Sequence, residues 1–327
     1  MDFALIIREI GRGATGARDM SRAEAQELYG MMLDGSVPDL EMGAIAIALR
    51  MKTETVDEMI GFLAAASERL PAVRPPRGRI RPVVIPTYNG ARRTANLTPL
   101  LGLLLQRYGV PVLMHGLGDD YGRVTSEQIL REYGLLPSDS VQQAQLVLDE
   151  HGLAYLPLGL LSPGVERQLA LRSRLGLRNS AHSLVKMLDP FHGDALLLAA
   201  ATHPDYLSSM RAVLSAIGAN ALLLRGTEGE PFANPKRRPN IEHIHGGVSD
   251  LLFEAEHDSL RSLPQLAENH DPRSTVAWMR RVLAGEVALP LPLANQLACC
   301  LHACGRATDL HQAKALVAVE SNGLALV

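Results

Sequence analysis

The residues whose types and spacing could do chemistry are concentrated in Pro86-Thr87-Tyr88-Asn89-Gly90-Ala91-Arg92-Arg93-Thr94-Ala95-Asn96. The apolar run Val83-Val84-Ile85 precedes this stretch and a helical pattern follows it, so the order is strand, loop, helix. That order turns backbone N–H groups and a helix N-terminus toward an anion. The loop has one glycine and two arginines. Close approach of backbone to a small phosphate wants several glycines, whereas guanidinium forks suit phosphates on a larger, more accessible ligand. Thr87, Asn89, Arg92 and Arg93 are therefore candidate anion-binding residues, altered toward a different anion. Tyr88 is either a stacking platform for a base or a ring packed on the sheet edge.

Charge is segregated along the chain. The formal net charge is −3, so no bulk positive field draws the protein to nucleic acid and any such contact must be local. From Pro71 to Gly118 there is no acidic residue, while Arg74, Arg77, Arg79, Arg81, Arg92, Arg93 and Arg107 accumulate. A second acid-free tract holds Arg167, Arg172, Arg174, Arg178 and Lys186, and a third is Lys236-Arg237-Arg238. Any one tract is readily a solvated face; three together point to anion contact. Arg178, His182 and Lys186 are spaced i, i+4 and i+8 with Asn179 beside them, which predicts one donor face on a helix.

The elements that must position these groups change character near residue 70. Residues 2 to 70 read as consecutive helices, with capping boxes at Ser21/Glu24 and Thr55/Glu58. A proline-rich connector, Pro71 to Arg79, follows. Beyond it, strands at 81–85, 110–114, 153–156, 195–201 and 221–225 alternate with helical pattern, which implies a parallel, buried sheet. The fold class is thus α/β: a small all-helical N-terminal domain, 1–70, and a larger α/β domain, 71–327, with a central mostly parallel sheet flanked by helices. A helical stretch near 163–188 is expected to return to the first domain.

Other features read as structural. Cys299, Cys300 and Cys304 lack a ligating or CxxC spacing and are expected to be small buried hydrophobes. His243 and His245 alternate as metal ligands on a strand would, but have no third partner in the sequence. Trp278 lies in an amphipathic helical run and is assigned to the core. No apolar run is long enough for a membrane span, and the start lacks a basic n-region with a cleavage site, so a cytoplasmic protein is expected.

The chain also resembles the anthranilate phosphoribosyltransferase family, which shares its fold with the pyrimidine and thymidine phosphorylases. The opening text Met20 to Ala25, Met31 to Gly35, Gly43 to Ile45 and Glu58 to Gly61 carries the resemblance, as does Ser321 to Ala325 at the other end. The family's Gly-Thr-Gly-Gly-Asp loop for pyrophosphate is matched here by Pro86-Thr87-Tyr88-Asn89-Gly90, and its Lys-His-Gly-Asn-Arg by Met114-His115-Gly116-Leu117-Gly118. The glycine turn, the aspartate and the phosphate-facing lysine are gone. The family's adjacent Asp-Glu magnesium ligands fall on Pro231 and Phe232, within Gly226-Thr227-Glu228-Gly229-Glu230-Pro231-Phe232, and rescue by Glu228 and Glu230 would need a local slip. Such departures are similar to those of the YbiB-type branch of this family, which binds nucleic acid as a dimer and lacks the transferase reaction.

The resemblance and the basic tracts together imply a non-enzymatic homodimer that binds single-stranded or unstructured DNA and RNA along the backbone. No catalytic residue, metal or cofactor is then expected. The 4% aromatic content agrees with backbone contact rather than stacking. The nucleic-acid-binding set is Thr87, Asn89, Arg92, Arg93, Arg172, Arg174, Arg178, Asn179, His182, Lys186, Lys236, Arg237 and Arg238. The alternative is a phosphoribosyltransferase or phosphorylase with a changed anionic acceptor, using His115, Arg178, His182 and magnesium. A third reading is an interaction protein with a vestigial cleft.

Overall fold

The chain begins with helices that start where their caps place them. A computed structural model describes residues 1–119, 122–256 and 265–320. Helices α1 (Phe3–Ile10), α2 (Arg22–Asp34), α3 (Asp39–Lys52) and α4 (Val56–Ser67) come first. Ser21 and Thr55 each accept from the backbone three residues on, and Glu24 and Glu58 reach back to their N-cap N–H groups. Each cap contributes about 1 kcal/mol. Glu58 is fully buried and also accepts from the Met20 N–H at 2.9 Å and from Lys52 Nζ at 2.8 Å, so one carboxylate ties two helices to the segment before α2.

The chain then runs through β1 (Val83–Pro86), α5 (Thr98–Arg107), β2 (Val112–Gly116), α6 (Ser126–Tyr133), α7 (Val141–His151) and β3 (Leu153–Pro157). Helices α8 (Leu158–Leu161), α9 (Pro163–Leu175) and α10 (Ala181–Leu184) follow, with a 3-10 turn at Val185–Met187. The rest is β4 (Leu196–Ala201), α11 (Pro204–Ala216), β5 (Ala221–Arg225), β6 (Ile241–His245), β7 (Val248–Phe253), α12 (Pro272–Leu283), α13 (Leu291–Ala303) and α14 (Leu310–Glu320). Two compact units result. One comprises Met1–Ala72 and Leu158–Pro190; the other comprises Val73–Pro157 and the chain from Phe191 onward.

The second unit is built on one sheet of strand order β3-β2-β1-β4-β5-β6-β7. Strands β3 through β5 in that order are parallel, and β6 and β7 add an antiparallel edge. Their near-continuous apolar text follows from burial on both faces: β1, β2 and β4 have every residue buried. Leu100, Leu101 and Leu105 of α5 and Leu293, Leu297 and Leu301 of α13 join the core of this sheet. From β1 the strand order runs outward through β2 and β3, then returns at β4 on the other flank of β1. That reversal leaves a crevice outside the carboxyl ends of β1 and β4, where open α/β sheets bind ligands.

One expectation changes here and one element is added. The β6–β7 hairpin, turning through Gly246-Gly247, occupies the text whose alternating histidines had stood out. His243 and His245 are spent on Asn220 and Asp250, each at 2.9 Å. The single helix expected from Arg172 to Lys186 is divided: Gly176, at φ +69°, ends α9 before Arg178, Arg178 and Asn179 lie between helices, His182 falls in α10 and Lys186 in the 3-10 turn. The resemblance at Ser321 to Ala325 lies outside the described residues. Among the described residues, no helix is long and apolar enough to cross a membrane.

Candidate anion-binding site

The crevice loop between β1 and α5 does cradle anions, and they are the protein's own. Residues 227–230 form a tight turn in which Thr227 and Glu230 exchange backbone hydrogen bonds of 3.1 and 2.9 Å. Its central residues, Glu228 and Gly229, have φ of +54° and +96°. The turn follows β5 and delivers two carboxylates to the β1–α5 loop. Glu230 is fully buried, and its Oε1 accepts from the Asn89 and Gly90 N–H groups, both at 2.8 Å. Its Oε2 accepts from the hydroxyls of Thr87 and, at 3.2 Å, Thr98. Burial pushes the Glu230 carboxyl above its usual range, against the pull of these four donors.

Glu228 takes the next set of donors. Its Oε1 accepts from Arg93 N–H at 2.8 Å, Thr94 N–H at 3.0 Å and the Thr94 hydroxyl at 3.1 Å; its Oε2 accepts from Arg92 N–H at 3.2 Å. The Arg123 guanidinium lies 3.7 Å away. Burial works against ionisation, but the Arg93 and Arg92 N–H groups, Thr94 and Arg123 together hold this carboxyl below its ordinary value. A nest of main-chain donors that could bind phosphate is thus filled by two glutamates. Gly116 serves the same region by close approach, because a Cβ there would fall 2.0 Å from the Thr87 carbonyl oxygen.

The sequence-derived set divides accordingly. Thr87 and Asn89 are buried and serve Glu230, with the Asn89 amide also donating to the Glu228 carbonyl, so their assignment to an external nucleic acid is corrected. Tyr88 is buried and is no stacking platform. Arg92 and Arg93 commit their backbone N–H groups to Glu228, while their side chains are exposed. Arg237 is exposed, as is Lys236, and Arg238 pairs with Glu256.

In the helical unit, Arg172, Arg178, Asn179 and Lys186 are half-buried around His182. His182 is buried and its Nδ1 lies 3.2 Å from the Asn179 N–H. Burial, then the charge of Arg178, with further push from Arg172 and Lys186, brings its pKa down to about 3. It is neutral at pH 7 and adds no positive charge to the donor set expected of Arg178, His182 and Lys186. Arg174 is exposed and pairs with Asp39 at 2.9 Å. His115, the alternative catalytic candidate, is fully buried in β2.

The residues present do not fit magnesium. Pro231 and Phe232 are buried and supply no side-chain oxygen, and the carboxylates of Glu228 and Glu230 face N–H and hydroxyl donors. Among the described residues, no group of three or more His, Cys, Asp or Glu is placed to hold a metal ion. Sequence reading missed Arg123 and Arg225, and treated the two glutamates only as stand-in metal ligands. The missed signal was their placement two residues apart, directly after the strand beside β4.

Comparison with known proteins places this architecture. Residues 5–69 match the glycosyl transferase family helical bundle domain. Anthranilate phosphoribosyltransferase from Methylocella silvestris is 24% identical over 313 residues, 94% of this chain and 88% of that one. The solved anthranilate phosphoribosyltransferase of Thermus thermophilus superposes with a TM-score of 0.78 at 22% identity, covering 99% of this chain and 95% of that one. The Saccharomyces cerevisiae enzyme in complex with PRPP and Mg gives 0.74 at 12% identity, covering 98% and 93%. The uncharacterized protein YbiB of Escherichia coli (strain K12) is 45% identical over 318 residues, 97% of this chain and 99% of that one. On that identity across nearly the whole of both chains, this chain belongs to the family of YbiB, among the anthranilate phosphoribosyltransferase-like proteins.

Proposed function

We propose that the protein binds the phosphate backbone of single-stranded or unstructured nucleic acid, without sequence preference and without catalysis, as a homodimer. The observation that carries this reading is the occupation of the pyrophosphate-type loop by Glu228 and Glu230. A small phosphate must displace a carboxylate held by several donors, whereas the exposed Arg92, Arg93, Lys236 and Arg237 side chains remain open to phosphates outside the loop. Arg172, Arg178 and Lys186 form a second cationic group in the helical unit. Linking two copies adds avidity without new contacts. Leu40 and Met51, 82% and 61% exposed in the helical unit, favour burial of apolar surface between copies.

The test is fluorescence anisotropy of a labelled mixed-sequence single strand, titrated at several salt concentrations with and without phosphoribosyl pyrophosphate plus magnesium. The expected result is binding that weakens with log salt by about 0.7 per phosphate contacted and is indifferent to the competitor. Light scattering of the same sample is expected to give twice the chain mass. A second reading, phosphoribosyl transfer to a changed anionic acceptor, is favoured by the relatives that match most of the chain and are phosphoribosyltransferases. Displacement of the strand by phosphoribosyl pyrophosphate, or absence of strand binding together with binding of that compound, would favour it.

A further inference from the structure

Beside the filled loop, the α/β unit has a cleft of about 550 Å³ at the carboxyl ends of β4 and β5. Five guanidinium groups and three carboxylates line it. Each carboxylate is already matched: Glu242 with Arg211 at 2.5 and 2.6 Å, Glu256 with Arg238, and Glu228 with the loop N–H groups. Three cations remain. Arg93 comes from the loop after β1, Arg225 ends β5, and Arg237 comes from the segment leading to β6. Their side chains are exposed and make no ion pair or hydrogen bond with the described residues.

Three unmatched arginines around one concavity repel one another, and an anion that enters relieves that repulsion. Guanidinium forks suit phosphate, and a terminal phosphate, carrying nearly two charges and three free oxygens, answers three of them better than a singly charged backbone diester. The volume lies in the range of small-molecule sites, roughly 300–1,000 Å³. Leu207, Leu223 and Pro239 supply apolar lining, while Asn234 and Asn240 offer amides that can meet the edge of a base. Glu228 keeps a phosphate in the cleft from entering the loop itself.

We propose that this cleft binds a nucleoside bearing a terminal phosphate, supplied either as a free mononucleotide or as the 5′-phosphorylated end of a strand. The choice of a nucleotide rests on the nucleic-acid reading above. The test compares two 3′-labelled single strands of one sequence, with 5′-phosphate or 5′-hydroxyl, by anisotropy on the full chain, with AMP as competitor. It is repeated on Arg225→Ala and on Arg237→Gln, both exposed positions, with circular dichroism as the check on folding.

The expected result is about tenfold tighter binding of the phosphorylated strand, as one or two charge-assisted hydrogen bonds would give. That preference is lost in either variant, while hydroxyl-ended strands bind Arg225→Ala as before and bind Arg237→Gln more weakly, because Arg237 also meets backbone phosphates. Competition by AMP for the end preference assigns the free nucleotide as a ligand too; its failure assigns the strand end alone. Equal affinity for both ends, with no AMP binding, overturns the proposal and leaves strand binding standing. AMP binding that Arg225→Ala abolishes, with no strand bound at all, upholds the cleft and removes the strand reading.

Discussion

Glu230 tests whether the loop is held by a carboxylate or by any group of that shape. In Glu230→Gln the amide oxygen can still accept from Asn89 and Gly90 N–H, and the amide nitrogen can donate to the Thr87 and Thr98 hydroxyls. The variant is expected to lie within about 1 kcal/mol of the parent, whereas Glu230→Ala strands two N–H groups and two hydroxyls and costs about 3 kcal/mol or more. Urea denaturation measures both. Because the folded-state pKa of Glu230 is raised, its favourable contribution belongs to the protonated form and is lost as pH rises through that value. Glu230→Gln is therefore expected to gain stability relative to the parent from acid to neutral pH; a constant difference would show that the carboxyl does not titrate there.

Glu228 and His182 make opposite contributions to the same question of which charges are available. Glu228 carries φ +54°, a strain of about 1 kcal/mol for a non-glycine residue. Glu228→Gly relieves the strain and frees the Arg92, Arg93 and Thr94 N–H groups. Calorimetry is expected to find pyrophosphate binding more tightly to that variant than to the parent, and no gain would refute the role of Glu228 as a resident anion. His182 has a lowered pKa, so the stability tied to its neutral form is complete above the ordinary value of 6.5 and is lost as pH falls toward about 3. Its ring resonances are expected to remain those of neutral imidazole at pH 5, where exposed histidines are charged.

Among the elements, the end of α9 is decided by one residue. Gly176 sits at φ +69° with nothing within 4 Å of where a Cβ would project, so Gly176→Ala costs backbone strain alone. About 1 kcal/mol is expected, and less for Gly176→Asn, which tolerates the left-handed region. Thermal melts of the two variants would separate this from a helix running on to Lys186, in which alanine would stabilise. The spacing of Arg178, His182 and Lys186 was legible, but a period of four describes a helix only where the backbone continues. The capping boxes at Ser21 and Thr55 were fully legible, because their signal is local and complete within four residues. The β6–β7 hairpin was not read, although Gly246-Gly247 between alternating residues is a hairpin signal, because its strands carry polar and charged residues where the parallel strands are continuously apolar.

For the molecule as a whole, a net charge of −3 means that long-range attraction contributes little and local contacts carry any affinity for a polyanion. Replacing both Arg92 and Arg93 by alanine is expected to reduce the slope of log affinity against log salt by about 1.4, two contacts at roughly 0.7 each. An unchanged slope would remove these two side chains from the interface. The sheet order matters at this scale too, since the reversal between β1 and β4 brings the turn after β5 to the loop after β1.

The sequence by itself determined the succession of helices, the parallel strands and the segregation of charge, because periodicity, caps and composition act over a few residues. It also showed that the loop at Pro86–Asn96 carries a single glycine and two arginines. Only the tertiary structure decided what replaced the phosphate. Glu228 and Glu230 lie more than a hundred residues from the loop, and their carboxylates meet its N–H groups because a single strand, β4, stands between the parallel β1 and β5, so that the turn after β5 and the loop after β1 leave the same edge of the sheet close together. The same folding buries Thr87 and Asn89 while leaving Arg93, Arg225 and Arg237 around one cleft. Which polar groups face inward and which stay available is set by long-range packing, and no local spacing carries that information.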